Sequence, residues 1–370
     1  MTIAIIGLGA MGLGIAQVYA QAGHTIRATD ASTDARSTAT ARLAATLAPR
    51  VAKGAMTQAD CDAILSRLHI VDRIEDLAPA DLVIEAVVER LAVKQAVFTV
   101  LEPLLPPHAV LATNTSSLSV AAIARGLSHP ERLLGLHFFN PAPVMRLVEL
   151  IPHATTASDA LAAARTLTES AGKAVIQCPD RPGFIVNRCA RPFYGEALAM
   201  LEEGRNAGEI DAAMMAAGYR LGPFALIDLI GADINLAATE GLAAAMDHHP
   251  RYHVFDALKA QVARGDLGRK TGRGFIFPAD APPPPQDAAA ITLRIEAALV
   301  NEAAWLLAEG GSTADGIDTA LKLGLNFPRG PFEAQALHGR RRVLATLAAL
   351  ESAAPPHLKG RYLPAPELTA

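Results

Sequence analysis

Residues 3–12, with the sequence IAIIGLGAMG, decide the fold of the first part of this chain. The first four are apolar and mostly β-branched, as in a buried parallel strand. The next six fit the pattern GxGxxG, and Ile15, Val18 and Ala22 then follow at helical spacing. A strand, a glycine-rich turn and a helix in this order predict a dinucleotide-binding unit, whose pyrophosphate lies at the positive end of the helix.

The glycines and the next strand define the cofactor that this unit would take. Gly7 permits the tight turn, Gly9 lets the backbone approach the pyrophosphate, and Gly12 lets helix and strand pack closely. The second predicted strand, Thr25–Thr29, ends at Asp30, whose carboxylate would bind the adenosine ribose. That carboxylate would repel a 2′-phosphate, so we predict NAD rather than NADP. The predicted cofactor contacts in this part are Gly7, Gly9, Ala10, Met11, Gly12 and Asp30.

Further strands and helices alternate along the chain. Apolar runs predict strands at 82–88, 110–112 and 133–136, and residues 93–105 have helical spacing. Strands that alternate with helices predict an α/β Rossmann-type, doubly wound and mainly parallel sheet. Ligands of such sheets lie outside the carboxyl ends of the strands. We therefore expect Asp30, Glu89, residues 113–117 and His137 around one crevice.

A histidine and a carboxylate stand out beyond the glycine motif. His137 follows a predicted strand and precedes two aromatic residues and an Asn-Pro turn, a combination that packing alone explains poorly. Glu149 lies in the apolar-rich, strand-like run 144–150, and a carboxylate inside such a run needs a partner. A histidine would provide one, so we predict that His137 and Glu149 form a pair.

Over about residues 1–280, the chain resembles the 3-hydroxyacyl-CoA dehydrogenases. The matching segments occur in the family's order, and the HFFNP run is the most specific of them. They are GLGAMG from Gly7, DLVIEAVVER from Asp81, ATNTSSLSV from Ala112, GLHFFNPAPVMRLVEL from Gly135, RPGFIVNR from Arg181, GPFALIDLIG from Gly222 and GRKTGRGF from Gly268. The family often has glutamate at the position of Ala225 and asparagine at the position of Arg90. These two differences concern the choice of substrate and not the class of reaction.

The resemblance implies NAD-dependent oxidation of a (3S)-3-hydroxyacyl-CoA. His137 would be the general base that removes the 3-hydroxyl proton, with Glu149 as its orienting carboxylate. Ser116 and Asn187 would hold the substrate oxygens. Two alternatives remain within the superfamily: a β-hydroxyacid dehydrogenase acting on a free acid, and a non-catalytic, crystallin-like protein. The length of the acyl chain, a carboxylate at its far end and the metabolic pathway stay open.

The resemblance also implies further ligand contacts. The positions that match NAD contacts of the family are Glu89, Lys94, Asn140 and Lys270, and those that match contacts with coenzyme A are Thr46 and Lys53. Simpler interpretations exist for several of these residues. Ser116 and Asn187 are also typical of helix caps, and Lys94, Lys53 and Thr46 are also typical of a solvated surface.

The second half of the chain changes character after Pro182. Residues 186–201 are predicted to form one long helix, and the motifs of this half recur at an offset that drifts from 106 to 108 residues. Glu196, Glu203-Gly204, Ile210-Asp211 and Gly222-Pro223-Phe224 return as Glu302, Glu309-Gly310, Ile317-Asp318 and Gly330-Pro331-Phe332. We interpret this as an all-α domain present in two tandem copies.

The predicted domains are an NAD-binding domain at 1–182, helical copies at 183–280 and 290–370, and a proline-rich linker at 281–289. Asn187 aligns with Leu293, which has no polar side chain, so the second copy is predicted to lack chemistry. We expect it to pack on the first copy, which gives a monomer with an internal pseudo-dimer. A homodimer through other surfaces is the alternative.

Composition and charge argue against several other classes of protein. Hydrophobic residues make up 51% and charged residues 19% of the 370 residues. This composition is typical of a folded protein and not of a disordered one. The net charge of −4 argues against nucleic acid as the main partner. Three widely spaced cysteines suggest neither a metal site nor disulfides. No apolar run reaches the roughly 20 residues of a membrane span, and a strand begins at Thr2, so we expect a cytoplasmic protein without a targeting segment or a membrane partner.

Overall fold

The computed structural model describes residues 1–369. These residues divide into two compact units, one from Met1 to Phe184 and one from Ile185 onward. The first combines a sheet with helices, and the second is helical. No helix within the described residues is both long enough and apolar enough to cross a membrane.

The strands of the first unit are β1 Thr2–Ile6, β2 Thr25–Thr29, β3 Leu68–Ile70, β4 Leu82–Glu85, β5 Val110–Thr113, β6 Leu133–Phe138, β7 Leu147–Ile151 and β8 Ala174–Gln177. Across residues 1–369 they form one sheet in the order β3-β2-β1-β4-β5-β6-β7-β8. Neighbouring strands are parallel except β6 and β7, which are antiparallel. The predicted Rossmann-type, mainly parallel sheet is therefore confirmed.

The helices of the first unit are α1 Ala10–Gln21, α2 Thr33–Ala52, α3 Gln58–Ser66, α4 Leu91–Leu101, α5 Val120–Ala124 and α6 Ser158–Ser170. Apolar side chains of α1, α2 and α6 share a core with the central strands, and Ile5, Ile15 and Leu43 within it are almost completely buried. Full burial of such a side chain contributes roughly 1.5–3 kcal/mol. Because β1 and α1 both contribute to this core, the first turn of α1 is held next to the end of β1.

Several strand boundaries differ from those predicted from the sequence, most clearly in β4, β6 and β7. β4 ends at Glu85 instead of residue 88, because its neighbour β1 ends at Ile6, the pairing partner of Glu85. β6 continues through Phe138, so His137 lies inside the strand and not after it. The antiparallel partner β7 causes this extension, since it pairs His137 with Glu149. β7 itself begins at Leu147, because the preceding segment turns and leaves Val144 71% exposed.

The helices of the second unit are α7 Val186–Cys189, α8 Arg191–Glu202, α9 Ala207–Ala216, α10 Pro223–Ile230, α11 Ala232–Ala245, α12 Asp256–Ala263, α13 Ala288–Ala308, α14 Ala314–Leu325, α15 Pro331–His338, α16 Arg340–Ala353 and α17 Pro366–Thr369. The prediction of one helix over 186–201 is wrong, because α7 and α8 are separated at Ala190. Pro192 in the first turn of α8 lacks the N–H group that a continuous helix needs there.

The long helix α13 forms the centre of the second unit. It packs against α8, α9, α15, α16 and α17, and it is apolar around most of its circumference, as expected for a buried helix. Two buried ion pairs join it to the helices that precede it. Nε of Arg188 lies 2.7 Å from Oε1 of Glu302, and Nε of Arg294 lies 3.0 Å from Oε2 of Glu196.

Candidate active site

The glycine turn between β1 and α1 has the shape that a dinucleotide needs. Gly7 has a φ of +97°, and a Cβ atom on it would lie 2.5 Å from the carbonyl oxygen of Ala86. A Cβ atom on Gly12 would lie 1.8 Å from the carbonyl oxygen of Gly7. A Cβ atom on Gly9 would have open space around it, next to the start of α1. The turn is therefore tight where α1 meets the sheet and open where a pyrophosphate would approach.

Asp30 lies directly beside this turn. Its Oδ2 accepts a hydrogen bond of 2.7 Å from the backbone N–H of Leu8, and its Oδ1 accepts one of 2.8 Å from Ser32. The carboxylate is thereby fixed at the end of β2. Ala10 and Met11 form the first turn of α1, where Ala10 is exposed and Met11 is partly buried. These positions suit the predicted contacts with an adenosine ribose and a pyrophosphate.

Lys94 is buried in an ion-pair network at the end of β4. Its side chain is only 1% exposed, and its Nζ lies 2.7 Å from Oε1 of Glu85 and 3.1 Å from Oε2 of Glu89. Thr113 donates a hydrogen bond of 2.8 Å to the other oxygen of Glu85. The interpretation of Lys94 as an exposed surface residue is therefore wrong.

Glu85 is a site residue that the sequence reasoning missed. It is completely buried, and it also accepts a hydrogen bond of 2.7 Å from the backbone N–H of Val87. The signal was present, because Glu85 ends an apolar strand and such a carboxylate needs partners. The same argument identified Glu149. Glu85 adjoins Ala86, whose carbonyl oxygen lies against Gly7, so the network borders the glycine turn.

Glu89 holds the loop that carries Ser116. Its Oε1 accepts hydrogen bonds from Oγ1 of Thr115 at 2.5 Å and from the backbone N–H groups of Ser116 and Ser117 at 2.9 and 3.1 Å. Partial burial opposes ionisation of Glu89, but the hydrogen bond from Thr115 and the charge of Lys94 together lower its pKa. Glu89 therefore stays a carboxylate and connects Lys94 to the Ser116 loop.

The interpretation of Ser116 as a helix cap is not supported by this loop. Ser119 caps the N-terminus of α5, and its Oγ accepts a hydrogen bond of 3.2 Å from the backbone N–H of Ala122. In the same region, Oδ1 of Asn114 accepts a hydrogen bond of 2.8 Å from the backbone N–H of Phe138. The loop after β5 is thus attached to β6 beside His137.

His137 and Glu149 form the pair that the sequence predicts. Nδ1 of His137 lies 2.6 Å from Oε2 of Glu149, and the two residues are opposite each other on β6 and β7. The histidine is 6% exposed and the carboxylate is completely buried. The rings of Phe139 and Phe184 flank the imidazole at centroid distances of 4.5 and 5.8 Å. Because a carboxylate only accepts hydrogen bonds, the neutral form of this imidazole carries its proton on Nδ1 and has its lone pair on Nε2.

The remaining predicted residues of the first unit lie at its surface. Asn140 is exposed, two residues after the end of β6. Thr46 is exposed on α2 and donates a hydrogen bond of 2.7 Å to the carbonyl oxygen of Leu43. Lys53 is exposed at the C-terminal end of the same helix. Lys53 is the C-cap residue of α2 and follows Thr46 by seven residues, which is about two helical turns.

Asn187 and Lys270 belong to the second unit. Asn187 lies inside α7 and not at a cap position, and its backbone carbonyl oxygen accepts a hydrogen bond of 3.1 Å from Nε of Arg191. Lys270 lies in a short turn and forms an ion pair with Asp233, which is in the first turn of α11.

Comparisons with known proteins identify the same family in both units. The model of the 3-hydroxyacyl-CoA dehydrogenase NAD-binding domain matches residues 2–181. The model of the C-terminal domain of that family matches residues 183–277 and 291–367.

Curated proteins and a crystal structure extend this match. A 3-hydroxyadipyl-CoA dehydrogenase from Escherichia coli K12 is 46% identical over 74% of this chain, which spans 58% of that protein's length. A probable 3-hydroxybutyryl-CoA dehydrogenase from Bacillus subtilis is 38% identical over 74% of this chain and 96% of its own length. The crystal structure of an Escherichia coli K12 3-hydroxybutyryl-CoA dehydrogenase has a TM-score of 0.93 at 34% identity, covering 100% of this chain and 97% of that one.

The resemblance seen in the sequence motifs is therefore confirmed along both units. The turn that would take the dinucleotide lies within the segment matched by the NAD-binding model, as does the pair of His137 and Glu149. This chain belongs to the 3-hydroxyacyl-CoA dehydrogenase family and is an NAD-dependent oxidoreductase.

Proposed function

We propose that this protein oxidises the 3-hydroxyl group of a (3S)-3-hydroxyacyl-CoA to a 3-oxo group, with His137 as the general base. The observation that carries the proposal is the buried hydrogen bond of 2.6 Å between His137 and Glu149. That bond keeps the proton on Nδ1, so Nε2 takes the proton of the substrate hydroxyl. Glu149 then stabilises the imidazolium that forms. NAD, when bound, supplies the acceptor for the hydride that leaves C3.

Other residues bind and orient the reactants in this proposal. Ser116 and Asn187 hold the substrate oxygens without adding charge, and this positioning brings the hydroxyl group to the base. The proposed contacts with NAD are Gly7, Gly9, Ala10, Met11, Gly12, Asp30, Glu89, Lys94, Asn140 and Lys270. Thr46 and Lys53 on α2 are proposed to bind coenzyme A, since a lysine ammonium suits a phosphate. We keep a cytoplasmic location as a prediction from the sequence.

An absorbance assay for NADH tests the reaction. We expect NADH to form with (3S)-3-hydroxybutyryl-CoA and not with free 3-hydroxybutyrate. Oxidation of the free acid alone would identify a β-hydroxyacid dehydrogenase. Absence of turnover with a panel of 3-hydroxyacyl-CoA thioesters, while NAD still binds, would identify a non-catalytic protein on this fold.

We also propose that the helical domain is present in two copies, within residues 183–280 and 290–370. The C-terminal family model matches two separate segments of these regions. Reciprocal ion pairs support the same interpretation, because Arg188 binds Glu302 and Glu309 while its counterpart Arg294 binds Glu196 and Glu203. Each partner is offset by 106 residues from its equivalent, which is the pattern of a two-fold symmetric interface.

The turns before α10 and α15 also have the same geometry. Asp211 accepts hydrogen bonds from the backbone N–H groups of Phe224 and Ala225. Asp318 does the same for the two N–H groups after Pro331. Since the copies pair inside one chain, we propose a monomer with an internal pseudo-dimer. Sedimentation equilibrium would give the mass of one chain under this proposal, and twice that mass would favour a homodimer through other surfaces.

A further inference from the structure

Arg191 differs from the other buried arginines of the helical unit. Arg188, Arg251, Arg294 and Arg361 each form an ion pair with a glutamate. Arg191 instead donates its Nε to the backbone carbonyl oxygen of Asn187 and its Nη1 to Oγ1 of Thr239, both at 3.1 Å. Its guanidinium carbon lies 4.9 Å from the centre of the Tyr194 ring. Among residues 1–369, no carboxylate forms an ion pair with it.

An arginine in this position carries an uncompensated charge. Taking a cation out of water is costly unless an anion accompanies it. The side chain of Arg191 is partly buried, and burial lowers its pKa. The hydroxyl, carbonyl and ring around it are neutral, so they satisfy only part of its hydrogen-bonding capacity, which is five N–H donors. The guanidinium is therefore able to take an anionic ligand.

Arg191 lies close in the chain to Asn187, which is proposed to hold the substrate. The anion that Arg191 binds could therefore belong to that substrate. Arg191 follows Asn187 by four residues across the break at Ala190, and the hydrogen bond from its Nε to the carbonyl oxygen of Asn187 keeps the two residues close together. At the offset of 106 residues, the second copy has Leu293 and Ala297 in place of Asn187 and Arg191. The polar pair is therefore present only in the copy that is proposed to hold the substrate.

A second polar group, which is connected to Arg191 through Thr239, lacks a hydrogen-bond partner for one of its side-chain atoms in the part of the chain that the structure describes. Asn235 is 3% exposed, and its Oδ1 has no hydrogen-bond partner among the described residues. It lies one helical turn before Thr239 on α11, and Oγ1 of Thr239 donates to the carbonyl oxygen of Asn235. A buried polar atom without a partner is costly, and bound ligand or water atoms would remove this cost. Arg191 and Asn235 thus both point to a polar ligand near Thr239.

We propose that Arg191 binds a carboxylate at the far end of the acyl chain, so that the preferred substrate is a 3-hydroxyacyl-CoA derived from a dicarboxylic acid. This inference rests on the proposed function, and it restricts the 3-hydroxyacyl-CoA substrates to those with a terminal carboxylate. With C–C bonds of about 1.5 Å, a carboxylate oxygen roughly four bonds beyond C3 lies about 5 Å from it, which is similar to the spacing of one helical turn. A guanidinium is well suited to this anion because it can form two parallel hydrogen bonds with it.

The test compares two substrates of equal chain length, 3-hydroxyadipyl-CoA and 3-hydroxyhexanoyl-CoA, which differ in the terminal carboxylate. We expect kcat/KM of the natural protein to be higher for the carboxylated substrate by about tenfold or more. Arg191→Gln should remove this preference, mainly through KM for 3-hydroxyadipyl-CoA, because the contact is present both before and during the reaction. Arg191→Lys should restore part of it, since it keeps the charge but loses the planar fork.

Arg205→Gln serves as the matched control, because Arg205 is an arginine of the same unit that already pairs with Asp287 through exposed hydrogen bonds. It should leave the ratio of the two kcat/KM values unchanged. The ratio is measured within one preparation, so a smaller folded fraction of any variant cancels. Equal kcat/KM values for both substrates in the natural protein, or an equal loss for both in Arg191→Gln, would overturn the assignment of Arg191. Failure to oxidise either thioester would instead contradict the proposed function.

Discussion

At the scale of single residues, the proposed chemistry depends on one strand pairing. β6 and β7 run antiparallel, and their register places His137 directly opposite Glu149. Side chains opposite each other on neighbouring strands lie close enough to interact without any special loop. The contact between base and carboxylate is thus fixed by the sheet itself, which keeps the imidazole in one orientation.

Replacing either member of this pair should reduce turnover without unfolding the protein. We expect His137→Ala to lower kcat by about 10²–10⁴-fold, the usual contribution of a positioned base. Glu149→Gln keeps the shape but removes the charge that stabilises the imidazolium, so kcat should fall less, by about tenfold or more. Steady-state kinetics with 3-hydroxybutyryl-CoA would measure both. Retention of full kcat by His137→Ala, with a native circular dichroism spectrum, would contradict the assignment of the base.

Glu85 is expected to matter for stability, because it is the buried counterion of Lys94. Glu85→Gln leaves the ammonium with a single, partly exposed carboxylate partner, so we expect the free energy of unfolding to fall by about 3–5 kcal/mol. Urea titration followed by circular dichroism would measure the change. Glu169→Gln is the control, since it breaks an exposed pair with Arg165 and should change stability by at most about 1 kcal/mol. Equal effects of the two substitutions would argue against a structural role for the Glu85–Lys94 pair.

Single residues also show which contacts of the site can be predicted from the sequence alone. Glu149 was predicted to need a partner because it lies in an apolar run, and His137 was available nearby in the chain. The side-chain partners of Glu85 are Lys94, nine residues on, and Thr113, on the neighbouring strand. Only the order of β4 and β5 in the sheet brings Thr113 to Glu85. Contacts that depend on strand order cannot be deduced from spacing along the chain.

At the scale of elements, the glycine turn offers a matched pair of substitutions. Gly12→Ala would place a Cβ atom 1.8 Å from the carbonyl oxygen of Gly7, so α1 must move away from β1. Gly9→Ala meets no atom within 4 Å. We therefore expect Gly12→Ala to lower the melting temperature and the affinity for NAD together. Gly9→Ala should keep the melting temperature and lower the affinity only, because the new methyl group faces the approaching pyrophosphate.

Differential scanning fluorimetry and a fluorescence titration with NADH would separate these two effects. Unchanged NADH affinity in Gly9→Ala would show that the dinucleotide does not approach the backbone at this residue. A normal melting temperature for Gly12→Ala would show that the close contact between α1 and β1 relaxes at no cost. The Gly9 variant tests the approach of the pyrophosphate, and the Gly12 variant tests the packing of α1 on β1.

The elements themselves could be predicted well where local pattern and packing agree. β1 and β2 have the bounds that the sequence predicts. The ends of β4 and β6 differ from the prediction because neighbouring strands determine where pairing stops. The separation of α7 from α8 has a local signal in Pro192, which the apolar spacing of that segment concealed.

At the scale of the whole molecule, the ion pairs of the helical unit predict a loss of stability in acid. Burial of Glu196 disfavours its charged form, but Arg361 and Arg294 outweigh this effect and hold the pKa of Glu196 below its ordinary value. A lowered pKa gives stability that is fully present above the ordinary value of 4.5 and is lost as the pH falls through the lowered pKa. The free energy of unfolding should therefore decrease below pH 4.5.

Glu196→Gln should make this acid transition shallower, because the variant has no carboxylate to protonate at that position. Thermal unfolding measured from neutral pH down to pH 3 would compare the two proteins. Glu240→Gln, which changes an exposed glutamate of α11, is the control and should keep the slope of the natural protein. An identical pH dependence of the Glu196 variant would show that other carboxylates cause the acid transition.

The reciprocal pairs of Arg188 and Arg294 have a consequence for how the protein responds to dilution. Both sides of that contact belong to one polypeptide, so the contact is intramolecular and does not depend on the total protein concentration. Two separate subunits would come apart as the total concentration dropped below their Kd. Here the contact persists at any concentration, and turnover per molecule should be the same from micromolar to picomolar protein.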